Sequence, residues 1–209
     1  MKALLYSWAG SPNAQLIFES HFDFKYKKQR IAYVPNAKDG DDIEFTQRET
    51  KQSIARIANN VKSVTKFDLY QMADTWSVDY MVDNFDTVYV GGGMMGPLLK
   101  AVKETGFDTL LNDLAQTDIK YVGSSAGSML TSQTMKVAGW YPNEEEPEMV
   151  DKTGLGWLPF EMFPHYDELK HKDLIQEKAT DPLVLLPDNS AIGIEGGELR
   201  FYNQARLLL

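Results

Sequence analysis

The chain has 209 residues, of which 43% are hydrophobic and 24% charged, a balance that suits a soluble globular fold and excludes a disordered or fibrous chain. Its net charge of −9 argues against nucleic acid as a partner, because no basic block offsets repulsion by a phosphate backbone. The absence of cysteine removes disulfides, thiolate metal sites and a cysteine nucleophile together.

No apolar run approaches the roughly twenty residues of a membrane span, and "MKALLYSWAGSPNAQ" has too short an apolar core for a secretion signal. No membrane partner is expected, and a cytoplasmic location is. The histidines are His21, His165 and His171, with no H-x-x-x-H or H-E-x-x-H pair, so no metal is expected either.

"KALLYS" reads as a first strand, over 3–7, and "NAQLIFESHFDFKYKK" as a covering helix with apolar residues at three- and four-residue intervals. A second strand is expected over 30–35, then a helix in "EFTQRETKQSIARIANNVKSV" and a third strand over 66–72. A fourth strand, 87–91, runs into "GGGMMGPLLKAVKETG", where Pro97 suits a first helical turn and Gly106 an end. Strand 119–124 follows, and then "GWYPNEEEPEMVDKTGLGWLPFEMF" (139–163), which shows neither period and is expected to be a long functional loop. "HKDLIQEKAT" reads as helix, with closing strands over 183–187, 191–195 and 198–203, the last two joined by an "EGGE" hairpin turn. Alternating strands and helices predict one α/β domain over 1–209: a doubly wound, mostly parallel sheet with helices on both faces.

Gly91, Gly93 and Gly96 satisfy the G-x-G-x-x-G spacing of a dinucleotide-binding turn. That turn belongs after a first strand, with an acid at a strand end about twenty residues on. Here it follows the fourth strand, and the count lands in "LLNDLAQTD", which reads as helix. No cofactor is expected.

After "IKYV" comes "GSSAGSML", in which Gly123, Ser125 and Gly127 match G-x-S-x-G. Small residues on both sides let a strand turn sharply into a helix, pushing the serine out at the carboxyl end of the sheet as a nucleophile. His21 and His171 read as solvated helix residues, whereas His165 follows Pro164 at the end of the loop and suits a rigidly held base. The loop offers Glu144, Glu145, Glu146, Glu148 and Asp151 as orienting acids. If the strands before the two glycine turns are neighbours, amides of the first turn and of Ala126 face one space and form an oxyanion hole.

The series "VYVGGG", "LLKAVKETG", "YVGSSAGSML", "LGWLPFEMFPHYD" and "LPDNSAIGIEGGELRFYN" resembles the serine peptidases that include dipeptidase E and, more distantly, cyanophycinase. The resemblance implies a fold like the class I glutamine amidotransferase domain and hydrolysis of short peptides. It implies Ser125 as nucleophile, His165 as general base and acid, Glu144 or a neighbour as the third member, and Gly93 and Ala126 as oxyanion donors. The expected partner is a small peptide substrate, and the chain a monomer or homodimer. Two departures stand out: Met94 and Met95 replace the family's Asn-Thr, and no arginine follows His165 in "HYDELKHKDLIQEKATD", so Asp-X specificity is not expected. The alternatives are a non-catalytic binding or regulatory homologue, and an α/β-hydrolase esterase. The esterase would place a histidine just before its oxyanion glycines, and none stands immediately before Gly91.

Overall fold

Side chains Ala3, Leu4, Leu5 and Tyr6 leave β1 (Lys2–Tyr6) with no face for water, and in the computed structural model all four are fully buried. The structure describes residues 1–22, 28–39, 47–48, 51–55, 61–141 and 152–208. β1 lies inside a sheet with β2 (Gln29–Val34), β3 (Val61–Lys66), β4 (Thr87–Val90), β5 (Lys120–Ser124), β8 (Ala191–Glu195) and β9 (Glu198–Tyr202). The order is β3-β2-β4-β5-β1-β8-β9, with β1 to β5 parallel and the last two strands antiparallel.

Alternate residues of each strand feed opposite cores, which is why these strands read as continuous apolar runs. Leu4, Tyr6, Ile31, Tyr33, Tyr89 and Val122 meet Ile17 and Phe18 of α1 (Ala14–Phe22) on one face. On the other, Leu5, Val34, Val88 and Val90 meet Leu98 and Val102 of α4 (Met95–Thr105) and Leu110 and Leu111 of α5 (Phe107–Leu114). This is the doubly wound α/β fold the sequence predicts. A second sheet, ordered β10-β7-β6, is built from β6 (Glu161–Phe163), β7 (Leu183–Leu185) and β10 (Arg206–Leu208).

Several expectations need correction. Val61–Val64, expected as the end of a helix, belong to strand β3, whose residues are all partly or fully exposed at the sheet edge. With a polar residue at most positions its pattern does not announce a strand. Residues 66–72, expected as a strand, hold the end of β3 and the short helix α2 (Leu69–Met72), which Asp68 caps by accepting from Gln71 N–H at 3.4 Å. A further helix, α3 (Val78–Asn84), is capped by Ser77. The described part of 139–163 is packed rather than loose: Ser132 pairs with Leu158, Thr134 with Thr153, and Leu158 and Phe160 are buried.

His21 and His171 are buried, not solvated. The α1 helix lays His21 against Gly193, with Nδ1 3.2 Å from the Tyr202 hydroxyl, and burial lowers its pKa. Glu161 on β6 is another buried titratable group; it accepts a 2.7 Å bond from Thr134 Oγ1, and burial raises its pKa. A carboxyl with a raised folded-state pKa loses stability as pH rises through that pKa. Glu161→Gln keeps the acceptor without the charge, so Tm measured at pH 8 should rise, with little change at pH 4.

Candidate active site

The parallel register places Val90 opposite Gly123, so the turns after β4 and β5 lie side by side at the carboxyl edge of the sheet. At the second turn Ser125 has φ 49° and ψ −110°, a conformation L residues rarely adopt, and it precedes the short helix α6 (Ala126–Met129). Several bonds hold it there. Ser125 N–H donates to Tyr6 O at 3.1 Å, Ser128 Oγ donates to the same carbonyl at 2.7 Å, and Tyr121 Oη donates to Gly127 O at 2.6 Å. A Cβ at Gly127 would collide with the Val90 carbonyl, so only glycine lets the helix start this close to β4.

His165 comes two residues after β6, itself at φ 54°, and its N–H donates to Ser7 Oγ at 2.8 Å. Its Nε2 stands 3.0 Å from Ser125 Oγ. Its Nδ1 stands 2.6 Å from Asp188 Oδ1. A carboxylate only accepts, so Nδ1 carries the proton and Nε2 is left as the acceptor for the serine hydroxyl. The bond from His165 holds the Asp188 carboxyl below the usual carboxylate range.

Asp188 is the candidate site residue that sequence reasoning missed. It follows β7, which pairs in parallel with β6 so that Phe163 lies opposite Leu185. Two neighbouring strands therefore deliver His165 and Asp188 from adjacent carboxyl ends, as β4 and β5 deliver the two glycine turns. The signal available was "LPDNS", an acid in a turn directly after a buried strand. Ser190 N–H and Oγ both donate to Pro187 O, closing the turn that carries Asp188. Glu144, with its neighbours Glu145, Glu146, Glu148 and Asp151, lies outside the described residues.

Gly92 backs onto the serine, its missing Cβ lying 3.1 Å from Ser125 Cβ. Gly93, at φ 144°, leaves no room for a side chain against the Ala37 carbonyl, which accepts from Met94 N–H at 2.6 Å. Among the described residues no acceptor meets the N–H groups of Gly92, Gly93 or Ala126. Met95, where the resembled family has threonine, is buried core.

Beyond His165 opens a cavity of about 550 Å³, between α7 (Glu168–Lys178) and β10. Lys170, Arg206, Glu168 and Gln204 line it. The Arg206 guanidinium lies 5.1 Å over the Tyr166 ring and 3.8 Å from Glu168. Thus an arginine does border the site, supplied by the last strand rather than by the segment after His165. His171 forms part of the wall; it packs on Phe163, and its Nδ1 accepts from Asp167 N–H at 3.0 Å. Among the described residues no cluster of three metal-ligating side chains occurs, and no helix is long and apolar enough to cross a membrane.

Comparison with known proteins gives the same direction. Peptidase E of a Nostoc species is 24% identical over 82% of this chain and 68% of its own length. Peptidase E of Streptomyces coelicolor is 33% identical over 66% of this chain and 51% of its own. Among solved structures, a Listeria monocytogenes protein carrying a Peptidase E name superposes with a TM-score of 0.77 at 20% identity, over 96% of this chain and 97% of that one. A peptidase from an acI-B1 Actinobacterium superposes at 0.64 and 15%, over 99% and 93%. At such identities the superpositions speak for a shared fold. The family model Peptidase family S51 matches residues 4–202, a span that takes in the serine elbow, the histidine turn and the turn carrying Asp188, and this chain belongs to that family.

Proposed function

We propose that this protein is a serine-type peptidase that hydrolyses short peptides through Ser125, His165 and Asp188. The observation that carries this is the unbroken line of contacts, 3.0 Å from Ser125 Oγ to His165 Nε2 and 2.6 Å from Nδ1 to Asp188. Family membership narrows the chemistry to peptide hydrolysis. Asp188 takes the orienting role in place of Glu144, because it already occupies Nδ1, the ring nitrogen turned away from the serine.

In the first half-reaction Ser125 Oγ attacks the scissile carbonyl while His165 Nε2 takes its proton. The carboxylate of Asp188 fixes the tautomer and stabilises the imidazolium that forms. Amides of the glycine turn and of Ala126, Gly93 among them, receive the oxyanion. His165 then protonates the departing amine, leaving Ser125 acylated. Water attacks the ester in the second half, giving its proton to Nε2, and the serine is regenerated with release of the acid.

The cavity has His165, the group that would protonate the leaving amine, in its wall. Its mixed lining of Lys170, Arg206 and Glu168 suits a small polar or zwitterionic leaving group, which favours dipeptides and other short peptides. A fluorophosphonate probe should modify Ser125, read by mass spectrometry, and a dipeptide panel should turn over faster than nitrophenyl esters of aliphatic acids. An unlabelled Ser125 with no peptide hydrolysed would favour a non-catalytic homologue, and the reverse substrate preference an esterase.

A further inference from the structure

Ser7 lies one residue past β1, with no solvent exposure at all, where this inner strand of the sheet meets the site. Its hydroxyl accepts the His165 backbone N–H at 2.8 Å. The same hydroxyl also favours the charged form of the Asp188 carboxyl. Its own N–H donates to Ser190 O at 3.1 Å, in the turn that carries Asp188. The preceding carbonyl, Tyr6 O, takes the Ser125 N–H and the Ser128 hydroxyl. Tyr6 and Ser7 thus touch the backbone of the nucleophile, the backbone of the base and the turn that carries the acid.

We infer that Ser7 is a positioning residue of the catalytic assembly, its buried hydroxyl holding the His165 main chain and its N–H holding the turn that carries Asp188, so that the imidazole is held between Ser125 and Asp188. Donor and acceptor roles follow from chemistry. The His165 N–H donates, so it takes a lone pair of Ser7 Oγ, and the Ser7 N–H donates in turn to the Ser190 carbonyl. Two costly features depend on this single residue. One is the φ of 54° at His165, which a non-glycine residue keeps only when its surroundings fix it. The other is the Asp188 side chain, which at 56% exposure has little packing to fix its rotamer. Ser7 has no contact with the reacting atoms, so it acts through His165 and Asp188 alone.

This role rests on the peptidase function proposed above, and the test separates the two. Ser7→Ala and Ser7→Cys are made in the full chain, with Tm checked for each. Dipeptide hydrolysis is measured across pH, and the His165 Nδ1 proton bonded to Asp188 is followed as a downfield NMR resonance. Leaving the His165 N–H without its acceptor predicts kcat lower by about 10–100-fold in Ser7→Ala with KM nearly unchanged. The Nδ1 resonance should broaden or shift, and Ser7→Cys, a weaker acceptor of similar shape, should fall between alanine and wild type. Wild-type kcat together with an unmoved resonance in Ser7→Ala overturns the role. Should alanine fail to fold, the same pair of results in Ser7→Cys overturns it. If the wild-type protein hydrolyses nothing and is not labelled at Ser125, the peptidase function fails, yet a moved Nδ1 resonance in Ser7→Ala still upholds the positioning role.

Discussion

Ser125→Ala is expected to lower kcat for peptide hydrolysis by on the order of 10⁴–10⁶ while leaving the fold intact. The serine supplies the attacking oxygen, and without it only the oxyanion amides and substrate binding remain to accelerate attack by water. The fold should survive because the bonds that fix the elbow are made by backbone groups and by other residues, namely Ser125 N–H to Tyr6 O, Ser128 Oγ to Tyr6 O and Tyr121 Oη to Gly127 O. Ser125→Gly gives a second, independent reading of the same site. At φ 49° and ψ −110° the serine is in backbone strain of about 1–3 kcal/mol that glycine does not share. In a chain of 209 residues, relieving even 1 kcal/mol of it should raise Tm by about 2–4 °C. The glycine variant should therefore be inactive and more stable than wild type. An active alanine variant would remove Ser125 from the mechanism, and a glycine variant less stable than alanine would remove the strain.

The residues legible in the sequence were those whose constraint is local. A strand, a tight turn of small residues and a helix lie within a dozen positions around Ser125, so G-x-S-x-G carries its geometry with it. His165 was reachable by elimination among three histidines and by the proline that precedes it. Strands β1, β2, β4, β5 and β8 were legible because burial on both faces gives each a continuous run of small and apolar residues. What was hidden depends on pairing between distant segments. β3 sits at an edge and is mostly polar, and so it continued the preceding helical pattern on paper. β6 and β10 have three residues each, too few for a period to show. Without β6 there was no reason to set His165 beside the end of β7, and the acid was sought in the glutamate-rich stretch before the histidine rather than 23 positions after it. Burial of His21 and His171 was hidden in the same way: the rings that cover them, Tyr202 and Phe163 among others, come from other elements.

That displacement of the acid leads to the second large effect. Asp188→Asn should reduce kcat by about 10³–10⁴-fold, because an amide in that place can donate to Nδ1 and turn the imidazole to the tautomer that cannot accept from Ser125. Glu144→Gln, the change suggested by the sequence resemblance, should stay within about twofold of wild type, as expected of a glutamate in a charged stretch with no role in the reaction. The pair discriminates between the two acids directly, since loss of activity in Glu144→Gln with activity retained in Asp188→Asn would reverse their assignment. Stability supplies a check that does not depend on turnover. Bonding to His165 lowers the folded-state pKa of Asp188, so its carboxylate contributes stability that is fully present above the ordinary aspartate pKa of about 4 and is lost as pH falls through the lowered value. Denaturant melts of wild type and Asp188→Asn should therefore differ by a constant amount from about pH 5 upward and converge in strong acid. The difference itself should be small, since the two side chains are 43% and 56% exposed and solvent screens their attraction. A large loss of rate beside a small loss of stability is what an orienting carboxylate produces: it selects one tautomer and one rotamer of His165, and that selection matters to proton transfer far more than to folding.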